Sequence, residues 1–314
     1  MARMFLLRIF RLVGILLAVS FATFSMVSLL PGDTVDSVLG ANASQADRLQ
    51  ARHDLHLDQA LPIRYGHWLA DAVQGDLGRS YRTRQPVVEA LGQRVGVTLE
   101  LVLLSQFLAL ALAVPMAVLS AIRPGSWFDR LFNGAQLAML ATPGFLVALA
   151  LFTVFSVKLG WFATAGFVPF SDSPFGNVKS LLLPSIALAL EQVAMYSRVL
   201  RADLITTLDE NYIWTARAKG LTNSQIVRRH ALRPSSLGLV TLAGVTMGRM
   251  IGGTVLVEYI FALPGLGRFT IDAINNRDFI ALQGAVVVLT VGFVVVNMFV
   301  DVLHRVLDPR IRIA

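Results

Sequence analysis

The sequence predicts an all-α integral membrane protein: a bundle of six membrane-crossing helices with a polar insertion between the first and the second. Three observations predict it. Of the 314 residues, 55% are hydrophobic and 15% charged, with a mean hydropathy of +0.65, which is too apolar for a soluble domain of this length. Six apolar runs, at about residues 9–30, 97–122, 131–157, 180–200, 236–260 and 280–304, are long enough to cross a hydrocarbon core about 30 Å thick at about 1.5 Å of rise per residue. Lipid offers no partner to backbone N–H and C=O groups, so each run must satisfy its own by coiling into a helix, and the periodicity does not suit a membrane barrel.

The first run follows a basic start, Arg3, Arg8 and Arg11. A secretory signal core is about 7 to 15 residues long and ends at a small-residue cleavage site. This run continues to Leu30 and offers only Ala18-Val19-Ser20 as such a site, so it is expected to remain as a membrane helix. Residues 31–96 are too polar to span and are expected to form an external insertion. Pro31-Gly32-Asp33 opens it, a helix-like stretch near Gln45–Leu55 carries Arg48, Arg52 and Asp54, and Gly75-Asp76-Leu77-Gly78 signals a turn. Its apolar residues Leu55, Leu57, Tyr65, Trp68, Leu69 and Val73 predict a small packed cap, because loops this long without structure are uncommon.

Within the spans, Pro143-Gly144 in the third run and Pro184 in the fourth are expected to kink their helices. Glu191 and Gln192 interrupt the fourth run and Arg249 the fifth. An ionised side chain at mid-bilayer costs about 2.5 to 3.5 kcal/mol on insertion scales. These three groups should therefore face the bundle interior, a water-filled path or one another; Gln106 and Asn297 are weaker candidates of the same kind. Gly244, Gly248, Gly252 and Gly253 suit close helix packing, either inside this chain or along a seam with a second one.

Between the fourth and fifth runs lies the segment 201–235. It carries Arg201, Arg217, Lys219, Arg228, Arg229 and Arg233 against Asp203, Asp209 and Glu210. An alanine-rich stretch, about Asn211 to Lys219, reads as a helix closed by Gly220, followed by a second short helix at Asn223 to His230; a glycine at a helix C-terminus permits left-handed backbone. Arg3, Arg8 and Arg11, then Arg123 and Arg130, then this segment, then Arg305, Arg310 and Arg312 fall on one side of six crossings. The positive-inside bias makes that side cytoplasmic, with both termini inside. The segment is then an elbow projecting into the cytoplasm.

Several function classes are disfavoured. The net charge of +7 sits at helix ends rather than in one stripe, a membrane-orientation pattern and not a nucleic-acid surface. Cysteine is absent, which removes disulfides and thiolate sites. His53, His56 and His67 fall in the insertion, His230 in the elbow and His304 at a helix end, so no nucleophile and base meet in the bundle and no catalytic role is expected. A secondary transporter would carry repeats of inverted topology, and no persuasive internal repeat is found.

Thr215-Ala216-Arg217-Ala218-Lys219-Gly220-Leu221, followed by His230-Ala231-Leu232-Arg233, resembles the coupling signature of permease subunits of binding-protein-dependent ABC importers, in the dipeptide and oligopeptide branch. The resemblance continues in order through Leu30-Pro31-Gly32-Asp33, Leu57-Asp58-Gln59, Gly75-Asp76-Leu77-Gly78-Arg79-Ser80, Thr98-Leu99-Glu100-Leu101, Pro264-Gly265-Leu266-Gly267-Arg268 and Asp308-Pro309-Arg310-Ile311-Arg312. Trp214, Pro234, Leu263 and Arg249 depart from the family pattern and leave the class intact.

The resemblance implies a type I importer permease in the bacterial cytoplasmic membrane. It implies a related permease as partner in a heterodimer, two cytoplasmic ATPases that hold ATP and Mg, and an external substrate-binding protein that hands over short peptides; the same branch includes importers of nickel complexes and other small solutes. Trp214 to Leu221, with His230, would be the ATPase-coupling site, Ala216, Ala218 and Gly220 allowing close approach and Arg217 and Lys219 pairing with acidic groups. Glu191, Gln192 and Arg249 would line the translocation pathway. No Gly-x-x-x-x-Gly-Lys-Ser/Thr phosphate loop occurs in this sequence, so the chain is expected to bind no cofactor of its own and to leave hydrolysis to its partners.

Overall fold

The computed structural model describes residues 2–29, 45 and 59–307. Helices dominate: α1 (Ala2–Leu29), α2 (Leu61–Val73), α3 (Val87–Ile122), α4 (Trp127–Ala141), α5 (Gly144–Leu151), α6 (Pro174–Leu208), α7 (Asn211–Ala218), α8 (Asn223–Ile226), α9 (Leu232–Ile260), α10 (Leu266–Asn275) and α11 (Phe279–Leu307). Wider π turns follow α5 at Phe152–Lys158 and α8 at Val227–Ala231. Among the described residues four helices are long and apolar enough to cross a membrane, Val87–Ile122, Pro174–Leu208, Asn223–Ile260 and Phe279–Val300. The apolar part of α1, Val13–Met26, is shorter.

The expected third span is two helices. Trp127–Ala141 and Gly144–Lys158 meet at a bend of 100°, because Thr142 is extended at ψ 120 and Pro143 cannot donate to the helix before it. The kink anticipated at Pro143-Gly144 is thus a break. Pro184, in contrast, sits inside α6 with the helix continuing on both sides. α3 begins ten residues before the expected 97, and α6 continues eight beyond the expected 200; both extensions carry polar residues that an apolar window rejects.

The chain divides into two compact units. The first comprises residues 1–98 and 264–294. Here α2 docks on α1 through aromatic edges: Tyr65 lies 5.1 Å from Phe21 and 5.7 Å from Phe24, and its hydroxyl is 2.7 Å from Ser20 Oγ. Trp68 stacks on Tyr65 at 6.0 Å. Tyr65 and Trp68 are thus packed against α1 and each other, whereas Val73 is 81% exposed among the described residues. Of the other features expected in the insertion, Pro31-Gly32-Asp33, Leu55, Leu57 and nearly all of the helix-like stretch lie outside the described residues, as does Asp308-Pro309-Arg310-Ile311-Arg312.

Gly75 and Gly78 form the predicted turn at φ +89 and +84. A Cβ on Gly78 would stand 2.8 Å from Ile280 Cγ2, so only glycine lets this backbone lie against α11. Ser80 Oγ donates to Asp278 and the Leu266 N–H donates to Thr98 Oγ1 at 2.9 Å, the second bond joining two of the segments in which the family resemblance lies. Beside Asp278, burial pushes the Tyr81 hydroxyl up to about 12. The core beneath is Leu77, Val87, Leu91, Leu266, Ala273, Ala281 and Ala285.

The second unit comprises residues 99–263 and those from 295 onward. α6 and α9 are its axis, packed with α3, α7 and α8 on a core that includes Val193, Leu200, Leu204, Ile213, Ile226 and Leu239. Small residues on α3, namely Ala109, Ala113, Ala117 and Ala121, recur every four positions in that core and let helices approach closely. Gly244 belongs to the same logic: a Cβ there would fall 2.1 Å from Val300 Cγ1. That glycine packs within this chain, while Gly252 has open space where a Cβ would stand.

Candidate functional site

The elbow 201–235 is built from the end of α6, through α7 and α8, into α9. Helix α7 runs from Asn211 to Ala218, with Lys219 as its C-cap, close to the expected Asn211–Lys219. Gly220 follows at φ +80. Its N–H donates to the Arg217 carbonyl at 2.9 Å and that of Leu221 to the Ala216 carbonyl at 3.3 Å, the reciprocal pair of a Schellman cap. A Cβ on Gly220 would meet nothing within 4 Å, so the position requires glycine for its left-handed backbone rather than for close approach.

Ile213 and Ala216 are buried at 0% and 7% exposure on the core shared with α6 and α9. This corrects one expectation: Ala216 faces its own chain and is unavailable to a partner, because it lies three residues after Ile213 and so shares its helix face. The opposite face presents Tyr212, Trp214, Thr215, Arg217, Ala218 and Lys219, all exposed. The Arg217 guanidinium lies 5.0 Å over the Trp214 ring, a cation–π contact that fixes the indole on the surface. Leu221 is half-buried against the same core as Ile213, and His230 is half-buried in the π turn.

Thr222 and Gln225 make a full capping box at the start of α8. Gln225 Oε1 accepts from the Thr222 N–H at 2.9 Å, and Thr222 Oγ1 accepts from the Gln225 N–H at 3.4 Å. The Thr-x-x-Gln spacing was a legible signal for this start. The expected helix Asn223–His230 is four α-helical residues followed by the π turn, which runs on into α9. Ser235 Oγ donates to Thr207 Oγ1 at 2.8 Å, and a Cβ on Gly238 would come within 2.6 Å of Asp203 Oδ2. The elbow is therefore seated on the α6–α9 pair and does not hang from it.

Deeper in the same unit, α5, α6 and α9 line a cavity of about 320 Å³. The structure brings all three polar candidates to it: Glu191 and Gln192 from α6, and Arg249 from α9. Glu191 and Arg249 are exposed to it, and Gln192 is 8% exposed. Among the described residues no ion pair within 4 Å joins Glu191 to Arg249. Gln106 does not line this cavity; its Oε1 accepts from Tyr196 Oη at 3.0 Å, which also contacts Thr246, tying α3, α6 and α9 together.

Sequence reasoning missed a buried clamp in this unit. Arg201 Nε and Nη2 donate to the two carboxylate oxygens of Asp129, both at 2.8 Å, and Nε also lies 2.8 Å from Ser120 Oγ. The clamp joins α3, α4 and α6. Arg201 reads from the sequence only as one of the elbow charges and Asp129 not at all, since nothing local reveals that positions 72 residues apart form a fork-shaped pair.

A family model described as "Binding-protein-dependent transport system inner membrane component" matches residues 113–313, and one for the N-terminal part of such components matches residues 1–102. The chain belongs to this family. It is a multi-pass membrane permease component with the type I ABC importer permease fold. A peptide transport system permease protein of Brucella abortus is 38% identical over 312 residues, 99% of each chain. The dipeptide transport system permease protein of Alkalihalophilus pseudofirmus is 32% identical over 325 residues, covering 97% of this chain and 98% of its own. Among solved structures, the inward-facing MetNI methionine ABC transporter matches with a TM-score of 0.55 at 19% identity, over 69% of this chain and 96% of that one. The permease-family match contains both the elbow and the charged cavity.

Proposed function

We propose that this permease is one half of the membrane pathway of an ATP-driven importer for short peptides. In this reading an external binding protein delivers the peptide, a second related permease completes the pathway as a heterodimer, and two cytoplasmic ATPases carrying ATP and Mg drive it. All six apolar runs cross the membrane, with the termini and the elbow in the cytoplasm. The names of the Brucella and Alkalihalophilus relatives support the peptide class. The observation that carries the rest is the burial of Ile213 and Ala216 on the core that α6 and α9 also form.

A push on the outer face of α7 is resisted by that shared core, so it moves the α6–α9 pair that lines the cavity. Trp214, Thr215, Arg217, Ala218 and Lys219 meet the ATPase, Trp214 as an aromatic anchor of the kind enriched at interface hot spots and the two cations as partners for acidic groups. Ala216, Gly220, Leu221 and His230 act by holding α7 in place. The pathway passes Glu191, Gln192 and Arg249. The test is uptake of a radiolabelled dipeptide into inside-out and right-side-out vesicles. Uptake is expected only into right-side-out vesicles with ATP enclosed on the elbow side, never into inside-out ones, and only when the ATPase subunits are co-expressed; accumulation driven by an ion gradient without them would refute the reading.

A further inference from the structure

The polar groups of the second unit fall into two sets. Asp129 is matched to Arg201 and Ser120, and Tyr196 to Gln106 and Thr246. Three polar groups of the cavity, Glu191, Gln192 and Arg249, are not matched in this way. Glu191 lies at the middle of α6 and Arg249 near the middle of α9, opposite in charge and both lining the cavity, yet they form no ion pair. Gln192 lines the cavity too, more than nine-tenths buried, and its Oε1 has no hydrogen-bond partner among the described residues. A buried amide oxygen left unpaired costs about 1 to 3 kcal/mol, and two charges kept apart forgo the attraction that would offset their insertion.

We propose that this cavity receives the substrate by its two charged ends. Glu191 takes a cationic amino terminus and Arg249 a carboxylate. The ligand class is a small zwitterion with both ends free, such as an unblocked dipeptide. The volume, about 320 Å³, is at the lower end of the range for small-molecule sites. Guanidinium and carboxylate pair with two parallel hydrogen bonds, so Arg249 distinguishes a free carboxyl end from an amidated one. This inference rests on the reading of the cavity as part of the pathway, and the experiment separates the two.

The chain has no cysteine, so Gly253→Cys introduces a single thiol. Gly253 lines the cavity, and an added Cβ meets only Leu188 Cδ2 at 3.7 Å. The assembled importer, with cysteine-free partner subunits and without its binding protein, is placed in nanodiscs and treated with a hydrophilic methanethiosulfonate. Modification is measured against increasing alanyl-alanine, its N-acetyl form, its carboxamide and the doubly capped form. Each cap is expected to raise the protecting concentration about tenfold or more, from the loss of one charge-assisted contact. Glu191→Gln should abolish the distinction between free and acetylated peptide only, and Arg249→Gln that between free and amidated peptide only. Glu191→Asp and Arg249→Lys keep both charges and should keep the distinctions, which separates lost recognition from lost folding. If the thiol reacts but all four peptides protect equally, or none does, the zwitterion site is wrong while the pathway stands. If the thiol reacts in no nucleotide state, the pathway reading fails and takes the site with it.

Discussion

Gly220 shows how a single residue sets the geometry of the elbow. Its φ of +80 costs a residue with a Cβ about 1 to 2 kcal/mol, and two hydrogen bonds close α7 around it. Gly220→Val is expected to abolish ATP-dependent uptake while leaving membrane insertion intact, and Gly220→Asn, which tolerates left-handed backbone, to retain part of it. Immunoblotting of the membrane fraction beside the uptake assay checks both; full uptake by the valine variant would refute the role. Gly220 was legible because glycine advertises this backbone. The same cap closes α9 at Ala262, φ +52, and α10 at Arg277, φ +53, where no residue type announces it and tertiary packing holds the backbone in place.

At the scale of elements, the Asp129–Arg201 clamp fixes α4 to α6 beside the start of the elbow. The carboxylate is 5% exposed and the guanidinium 22%, and removing one partner of such a pair leaves a buried charge without compensation. Arg201→Met is expected to destabilise the protein by about 3 to 5 kcal/mol, read as a lowered denaturation midpoint in detergent. The double variant Asp129→Leu with Arg201→Met is expected to recover most of that loss, since the charges are removed together; additive losses would contradict the clamp. The broken third span was half legible. Pro143-Gly144 announced a disturbance, but a bend of 100° follows from the extended Thr142 before the proline, which composition alone does not reveal. The chain length of the elbow helix was legible from its alanines and glycine, whereas the buried side of Ala216 followed only from the position of Ile213 against α6 and α9.

For the whole molecule, orientation is the property that lysine and arginine placement predicts. Alkaline phosphatase fused after Ala165 is expected to be active, and green fluorescent protein fused at the C-terminus to fluoresce; the reverse pattern would invert the topology and place the elbow on the wrong side for an ATPase. The sequence by itself determined the membrane class, the helical architecture and the family, because hydropathy over some twenty residues and the ordered run of short motifs are local quantities. Only the tertiary structure decided which face of α7 is free, that Gly244 is occupied by Val300 within the chain, and that Glu191, Gln192 and Arg249 share one cavity. Each of these depends on the mutual rotation of helices far apart in the chain, which is set by side-chain packing between them and has no signature along the sequence.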